Sequence, residues 1–157
     1  MNRVIDYLLN NWLEIIIGTF GVALLSVSFF QVINRYIFQI PFVGTEEMAR
    51  YFSIWAILFA AARGIRVETH IRIDFFMDRF PAKFRFINLL IVDILCIFFL
   101  VILTVKSIEI LPIMGMRLSP ALELPMWYIY IATPISAIIM IYFLIFKIIK
   151  KLPKQVQ

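Results

Sequence analysis

Few side chains in this sequence could do chemistry, and they are unevenly placed. Glu14 and Asp93 stand at the edge of, or inside, long apolar runs. Arg35, Glu46, Glu47 and Arg50 crowd instead into RYIFQIPFVGTEEMARYF, around Pro41 and Gly44. A carboxylate inside a bilayer is costly and is the group that proton- or sodium-coupled carriers employ. Asp93 is therefore either an ion carrier or a structural residue. Sodium wants several oxygens and often broken helices, which one carboxylate does not supply. That favours a structural hydrogen bond that Asp93 accepts from Gln31, Asn34 or a neighbouring subunit. Glu14, near the end of its run, is expected to snorkel to the headgroups.

The rest of the inventory excludes most enzymes. The sequence has one histidine, His70, and one cysteine, Cys96, so neither an intramolecular disulfide nor a CxxC motif exists. No GxxxxGK[ST] phosphate loop and no metal-ligand spacing occur, so neither ATP use nor metal hydrolysis has a basis. No cofactor is expected on this chain. The net charge of +5 does not imply nucleic acid, because the basic residues sit at the ends of apolar runs, where membrane proteins meet headgroups.

The elements that must hold these residues follow from hydropathy. At 157 residues, 63% hydrophobic and with a mean hydropathy of +0.96, the chain reads as a single membrane domain, 1–157, in contact with the lipid bilayer. Four transmembrane helices are expected over about 13–33, 46–66, 86–105 and 124–146. The first is expected to be an uncleaved anchor. The second has only Tyr51 to Ala62 uncharged, so its end charges must snorkel. In the fourth, Pro134 removes a backbone bond and predicts a kink or a packed polar neighbour. Arg3, the six bases from Arg63 to Arg85 and the four from Lys147 to Lys154 fall on one side; Arg35, Arg50, Lys106 and Arg117 fall on the other. Retention of basic residues inside then places both termini in the cytoplasm.

Between the spans the pattern changes. Ile73, Phe76, Met77 and Phe80 form one helical stripe, so 70–80 is expected to be an amphipathic interfacial segment with His70 and Asp74 off that stripe. It is read equally as a connector or as a partner-docking helix. Thr45 is expected to cap a helix whose first turn holds Glu46 and Glu47, with Arg50 in pairing reach of both. Lys106 to Glu123 is expected to be an apolar linker that dips into the membrane or packs on protein. Ala60, Ala61, Ala62 and Gly64 offer a face that another helix can approach closely.

These residues, in this order, resemble the small membrane subunit of tripartite ATP-independent periplasmic (TRAP) transporters, the DctQ-like family. The resemblance runs through Arg35, Tyr36, Phe38, Pro41, Glu46, Glu47, Arg50, Arg66, His70 and Asp74. It continues through Ser119, Pro120, Leu122, Pro125, Trp127, Tyr128 and Pro134, and so covers nearly the whole chain. One position departs: Gly44 stands where the family commonly has Trp. The resemblance implies a non-catalytic subunit of the inner membrane that braces a large transport subunit. Sodium and an organic acid would bind on that partner, and a periplasmic substrate-binding protein would deliver the acid. It also marks Arg35, Glu46, Glu47, Arg50, Arg66, His70 and Asp74 as structural or interface residues, to which the reading of the intramembrane carboxylates adds Asp93. Glu46, Glu47 and Arg50 would form a periplasmic shoulder. The acid stays open among C4-dicarboxylates, sialic acid, keto acids and sulfonates. Two other classes compete: a small four-helix exporter coupled through Glu14 or Asp93, and an assembly factor of another membrane complex.

Overall fold

A computed structural model describes residues 2–39, 43–67 and 82–151. The interfacial segment expected over 70–80, with His70 and Asp74, lies outside the described residues, as does Pro41. The described part is helical, with a single hairpin loop. Helix α1, Asn2–Ile33, carries a non-helical residue at Asn11 (φ −115°, ψ 20°) and runs into a π turn, Asn34–Phe38. The Gln39 N–H closes that turn on the Asn34 carbonyl, and its left-handed backbone (φ 56°) stops the helix. Helix α2 is Val43–Arg66 and α3 is Ala82–Gly115. The short α4, Trp127–Tyr130, steps at Ile131 into α5, Ala132–Lys151.

Among the described residues, three stretches are long and apolar enough to cross a membrane: Asn11–Phe38, Ile87–Gly115 and Trp127–Ile149. Helix α2 has 24 residues, about 36 Å, but charges at both ends leave only a short neutral middle, so it falls below that standard.

Local structure differs from the sequence expectation in three places. First, α2 starts at Val43, so Thr45 lies inside its first turn instead of capping it. Second, the linker expected from Lys106 begins as helix: Ile108 to Met114 continue α3 to Gly115. Pro112 sits in the last turn, where it forfeits only the bond to the Ile108 carbonyl before the helix ends. Third, the start of the expected fourth span is irregular. Pro134 occupies the first turn of α5, where an absent N–H costs nothing, and the break falls just before it.

The helices pack as a row, α1 on α2, α2 on α5, α5 on α3. Contacts set the directions. Glu14 of α1 meets Arg63 at the far end of α2, and Gln31 meets Glu46 at its near end, so these two are antiparallel. Arg66 lies over the Phe143 ring at 5.8 Å, which makes α2 and α5 parallel. Lys147 meets Asp93, which makes α3 antiparallel to α5. Glu14 and Lys147 thus share one end of the row.

Between α1 and α2, Phe20 stacks on Trp55 (5.7 Å) and Phe59 (6.3 Å), an arrangement that adds quadrupolar attraction to dispersion. The central core joins Ala62 and Ile65 of α2, Leu100 of α3, and Ala137, Met140 and Leu144 of α5. Ala132, Ser136 and Ala137 keep α5 slim where α2 crosses, and Ala62 is fully buried there. Of the small-residue face expected on α2, Ala60 and Ala61 remain exposed. Hydroxyls on the helices bond back to their own turns, as Ser26 to the Val22 carbonyl and Thr104 to the Leu100 carbonyl, which leaves them satisfied without water.

Candidate functional site

Glu46 and Glu47 are neighbours on α2, about 100° apart around the helix. That angle sends them to different partners. Glu46 is exposed and accepts from Gln31 Nε2 of α1 at 3.2 Å. Glu47 is buried and faces the loop that follows α3. There, Met126 N–H donates to the Arg117 carbonyl and Ser119 N–H to the Leu124 carbonyl, closing the hairpin 117–126. Glu123, with φ 52°, provides the left-handed residue near its tip. One Glu47 oxygen, Oε2, accepts three bonds from this hairpin: Ser119 Oγ at 3.0 Å, Ala121 N–H at 3.2 Å and Leu122 N–H at 2.9 Å. Ser119 Oγ in turn accepts from Leu124 N–H. The Tyr51 hydroxyl, one turn along α2, lies by this carboxylate without a hydrogen bond of good geometry. Gly44 and Thr45 are also buried at this end of α2.

At the opposite end of the row, Asp93 of α3 accepts from Lys147 Nζ of α5 at 2.7 Å, with side chains only 10% and 16% exposed. The partner is not the Gln31 or Asn34 expected from the sequence. Those lie on the first helix and the π turn that follows it, near the opposite helix ends, and Gln31 is taken up by Glu46. Lys147, counted as a basic tail residue by sequence, instead lies within α5. Glu14 does not simply snorkel: it forms a forked contact with Arg63 Nε (3.1 Å) and Nη2 (2.8 Å), both residues half-exposed.

The other expected residues scatter. Arg35 is exposed on the π turn, 6.0 Å from the Tyr36 ring. Arg50 is exposed, and neither Glu46 nor Glu47 forms its ion pair with it. Arg66 lies on Phe143. The shoulder of Glu46, Glu47 and Arg50 is therefore divided among a helix–helix bond, a hairpin anchor and an exposed cation. Sequence reasoning missed Ser119 and Lys147 as partners. The first is 72 residues from Glu47 and no local pattern links them. The second had a signal: Asp93 is the acid inside the third apolar run and Lys147 the first base after the fourth, a pairing that antiparallel neighbours would allow.

Among the described residues, no group of three or more His, Cys, Asp or Glu is placed to hold a metal ion. What the arrangement does is mechanical. Buried polar groups tie apolar helices together where lipid competes equally for their apolar faces.

Comparison with known proteins places this architecture in a family. Residues 24–154 match the family described as tripartite ATP-independent periplasmic transporters, DctQ component, and the chain belongs to it. Over 126 residues, 73% of the chain, it is 34% identical to the isethionate TRAP transporter permease protein DctMQ of Oleidesulfovibrio alaskensis. It is 31% identical over 125 residues to the C4-dicarboxylate TRAP transporter small permease protein DctQ of Rhodobacter capsulatus, and 22% identical over 129 residues to a TRAP transporter small permease protein of Haemophilus influenzae. The aligned stretch spans 19% of the first relative, 53% of the second and 78% of the third. These relatives are membrane permease proteins, not enzymes.

Proposed function

We propose that this chain is the small permease subunit of a sodium-coupled TRAP transporter for an organic acid, and that it braces a large transport subunit without carrying cargo. The observation that carries this reading, beside family membership, is the open row. In the most apolar window of α1 no residue is buried, against a third of that window in α5. A chain that leaves so much helix surface uncovered, and whose carboxylates in the apolar segments are engaged by Arg63 and Lys147, is suited to bracing and not to conduction. Engagement of Glu14 and Asp93 also argues against the exporter alternative, which needs one of them free to titrate.

The large partner is the TRAP permease subunit, as the alignment to a fifth of a longer permease polypeptide suggests. The cargo class is an organic anion, in line with the isethionate and C4-dicarboxylate of the relatives' names. Sodium binds on the large subunit, and a periplasmic binding protein delivers the anion. Helix α2 is the fourth crossing: it runs antiparallel to α1 and meets it near both ends of that helix's apolar run. Both termini are cytoplasmic in the inner membrane, since the end holding Glu14 and Lys147 is also the basic end. The whole chain forms one membrane domain, with 70–80 lying along the interface.

The test is copurification with the large subunit, followed by sodium-driven uptake in proteoliposomes with and without this chain. Uptake that requires both chains is expected. Uptake by this chain alone, or undiminished uptake without it, overturns the proposal.

A further inference from the structure

Helix α3 carries an ion pair on the side that no other helix covers. Lys106 Nζ donates to Glu109 Oε2 at 2.7 Å, and the two side chains are 69% and 58% exposed. Glu109 lies nine residues past Leu100, about two and a half turns, so it stands roughly 180° from the stripe that α3 buries against α5. Leu95, Phe98, Ile102 and Ile113 share that outward face and are uncovered. Contacts between the helices fix the level of the pair. At one end of the row the polar groups are Glu14 with Arg63 and Asp93 with Lys147. At the other they are Gln31 with Glu46, and Glu47 with the hairpin just beyond α3. Asp93 and Gly115, one at each tier, are 22 residues or about 33 Å apart along α3, close to the roughly 30 Å of a hydrocarbon core. Lys106 is 13 residues from the first and nine from the second, about 20 and 14 Å. Were it at the membrane surface instead, the hairpin end of the row would stand in water with Val22, Leu25 and Phe29 of α1 bare. The pair therefore faces outward inside the apolar layer, and the apolar stretch Ile87–Gly115 runs through it.

Acyl chains solvate such a pair poorly, and charges at this depth face protein or a water-filled cavity. A helix that brings polar groups to the same level removes the cost and gains an interhelical bond. Helix α1 presents the opposite case. From Ile15 to Phe30 it has no charged residue, and the Thr19 and Ser26 hydroxyls are spent on the carbonyls of Ile15 and Val22. Its outward Val22, Leu25 and Phe29 are matched by lipid alone. Resting on the reading of this chain as a small permease subunit, we propose that the outward face of α3 around Lys106 and Glu109 is the seat of the large subunit, which sets side chains of complementary charge against the pair. The outward face of α1 meets lipid. The open row thus has a protein side and a lipid side, and the ion pair tells them apart where hydropathy does not.

The test is photocrosslinking in native membranes that also hold an epitope-tagged large subunit. Ile102, one turn before Lys106, or Leu25 of α1 is replaced by p-benzoylphenylalanine in the otherwise unsubstituted chain. The Ile102 variant is expected to yield an adduct carrying the tag, and the Leu25 variant none above an unirradiated sample. A tagged adduct from Leu25 alone, from both positions equally, or from neither overturns the assignment of faces. An adduct of two copies of this chain at Ile102, in place of the tagged one, overturns the occupant. A second measurement addresses the charges. The exchange Lys106→Glu with Glu109→Lys keeps an ion pair and is indifferent in lipid. Against a partner of fixed charge it is expected to lower copurification of the large subunit about fivefold at equal accumulation, as the loss of one interhelical polar contact implies. Unchanged copurification overturns the complementary contact. If the exchange variant does not accumulate, Glu109→Gln replaces it under the same criteria. Failure of the underlying reading shows separately and earlier: the unsubstituted chain then retains no large subunit, which overturns the seat as well.

Discussion

Glu47 and Asp93 are both carboxylates withdrawn from solvent near opposite ends of one helical row, yet they are satisfied in opposite ways. Asp93 meets a cation, so the pair is neutral as a unit and its worth depends on both members being present. Glu47 meets only neutral donors, two of them backbone N–H groups that no substitution of their own side chains removes. The first solution joins two regular helices at a point. The second shapes an irregular loop, because a carboxylate that takes three bonds dictates where Ser119, Ala121 and Leu122 must lie. An ion pair is thus a pin between preformed elements, whereas a carboxylate among amides organises backbone that has no regular structure of its own.

Substitutions can break or sharpen this contrast. The largest effect is expected from Lys147→Leu, which removes the ammonium held to the largely buried Asp93 carboxylate and should cost about 3–5 kcal/mol, read as thermal stability in detergent. Replacing both Asp93 and Lys147 by Leu should recover most of that loss, since the pair itself contributes little net stability over well-packed apolar residues. Next comes Glu47→Ala. It leaves a hydroxyl and two N–H groups without their acceptor and should cost about 2–3 kcal/mol, with proteolytic susceptibility rising within 117–126. Unlike the ion pair, no second substitution in the hairpin should fully rescue it, because two of the three orphaned donors are main-chain. Ser119→Ala, which removes one of the three donors and the support of Leu124 N–H, should cost about 1 kcal/mol in the same assay. The smallest effect belongs to Glu14→Gln at the half-exposed pair with Arg63. About 0–1 kcal/mol is expected, diminishing further in high salt, while the two buried sites stay insensitive to salt.

The exposed surface carries a second contrast. Helix α5 buries Ala132, Ser136, Met140 and Leu144 at four-residue spacing and, like α2, packs on two long helices. Helix α1 leaves Val22, Leu25 and Phe29 uncovered along its length. By composition the two helices are similar, both apolar nearly all round, and hydropathy does not distinguish the central helix from the peripheral one.

The sequence by itself determined that this is a helical membrane protein and which family it belongs to. Runs of about twenty apolar residues have one stable form in lipid, because every backbone group must be bonded within its own segment. Motif order through Arg35, Glu46, Glu47, Ser119 and Pro125 carried the family. The order of helices in the row, the division of labour between adjacent Glu46 and Glu47, and the Lys147 partner of Asp93 were decided only by tertiary structure. Each depends on which faces meet across 15 to 75 residues of chain, and apolar helices in an apolar solvent carry almost no local signal of that choice.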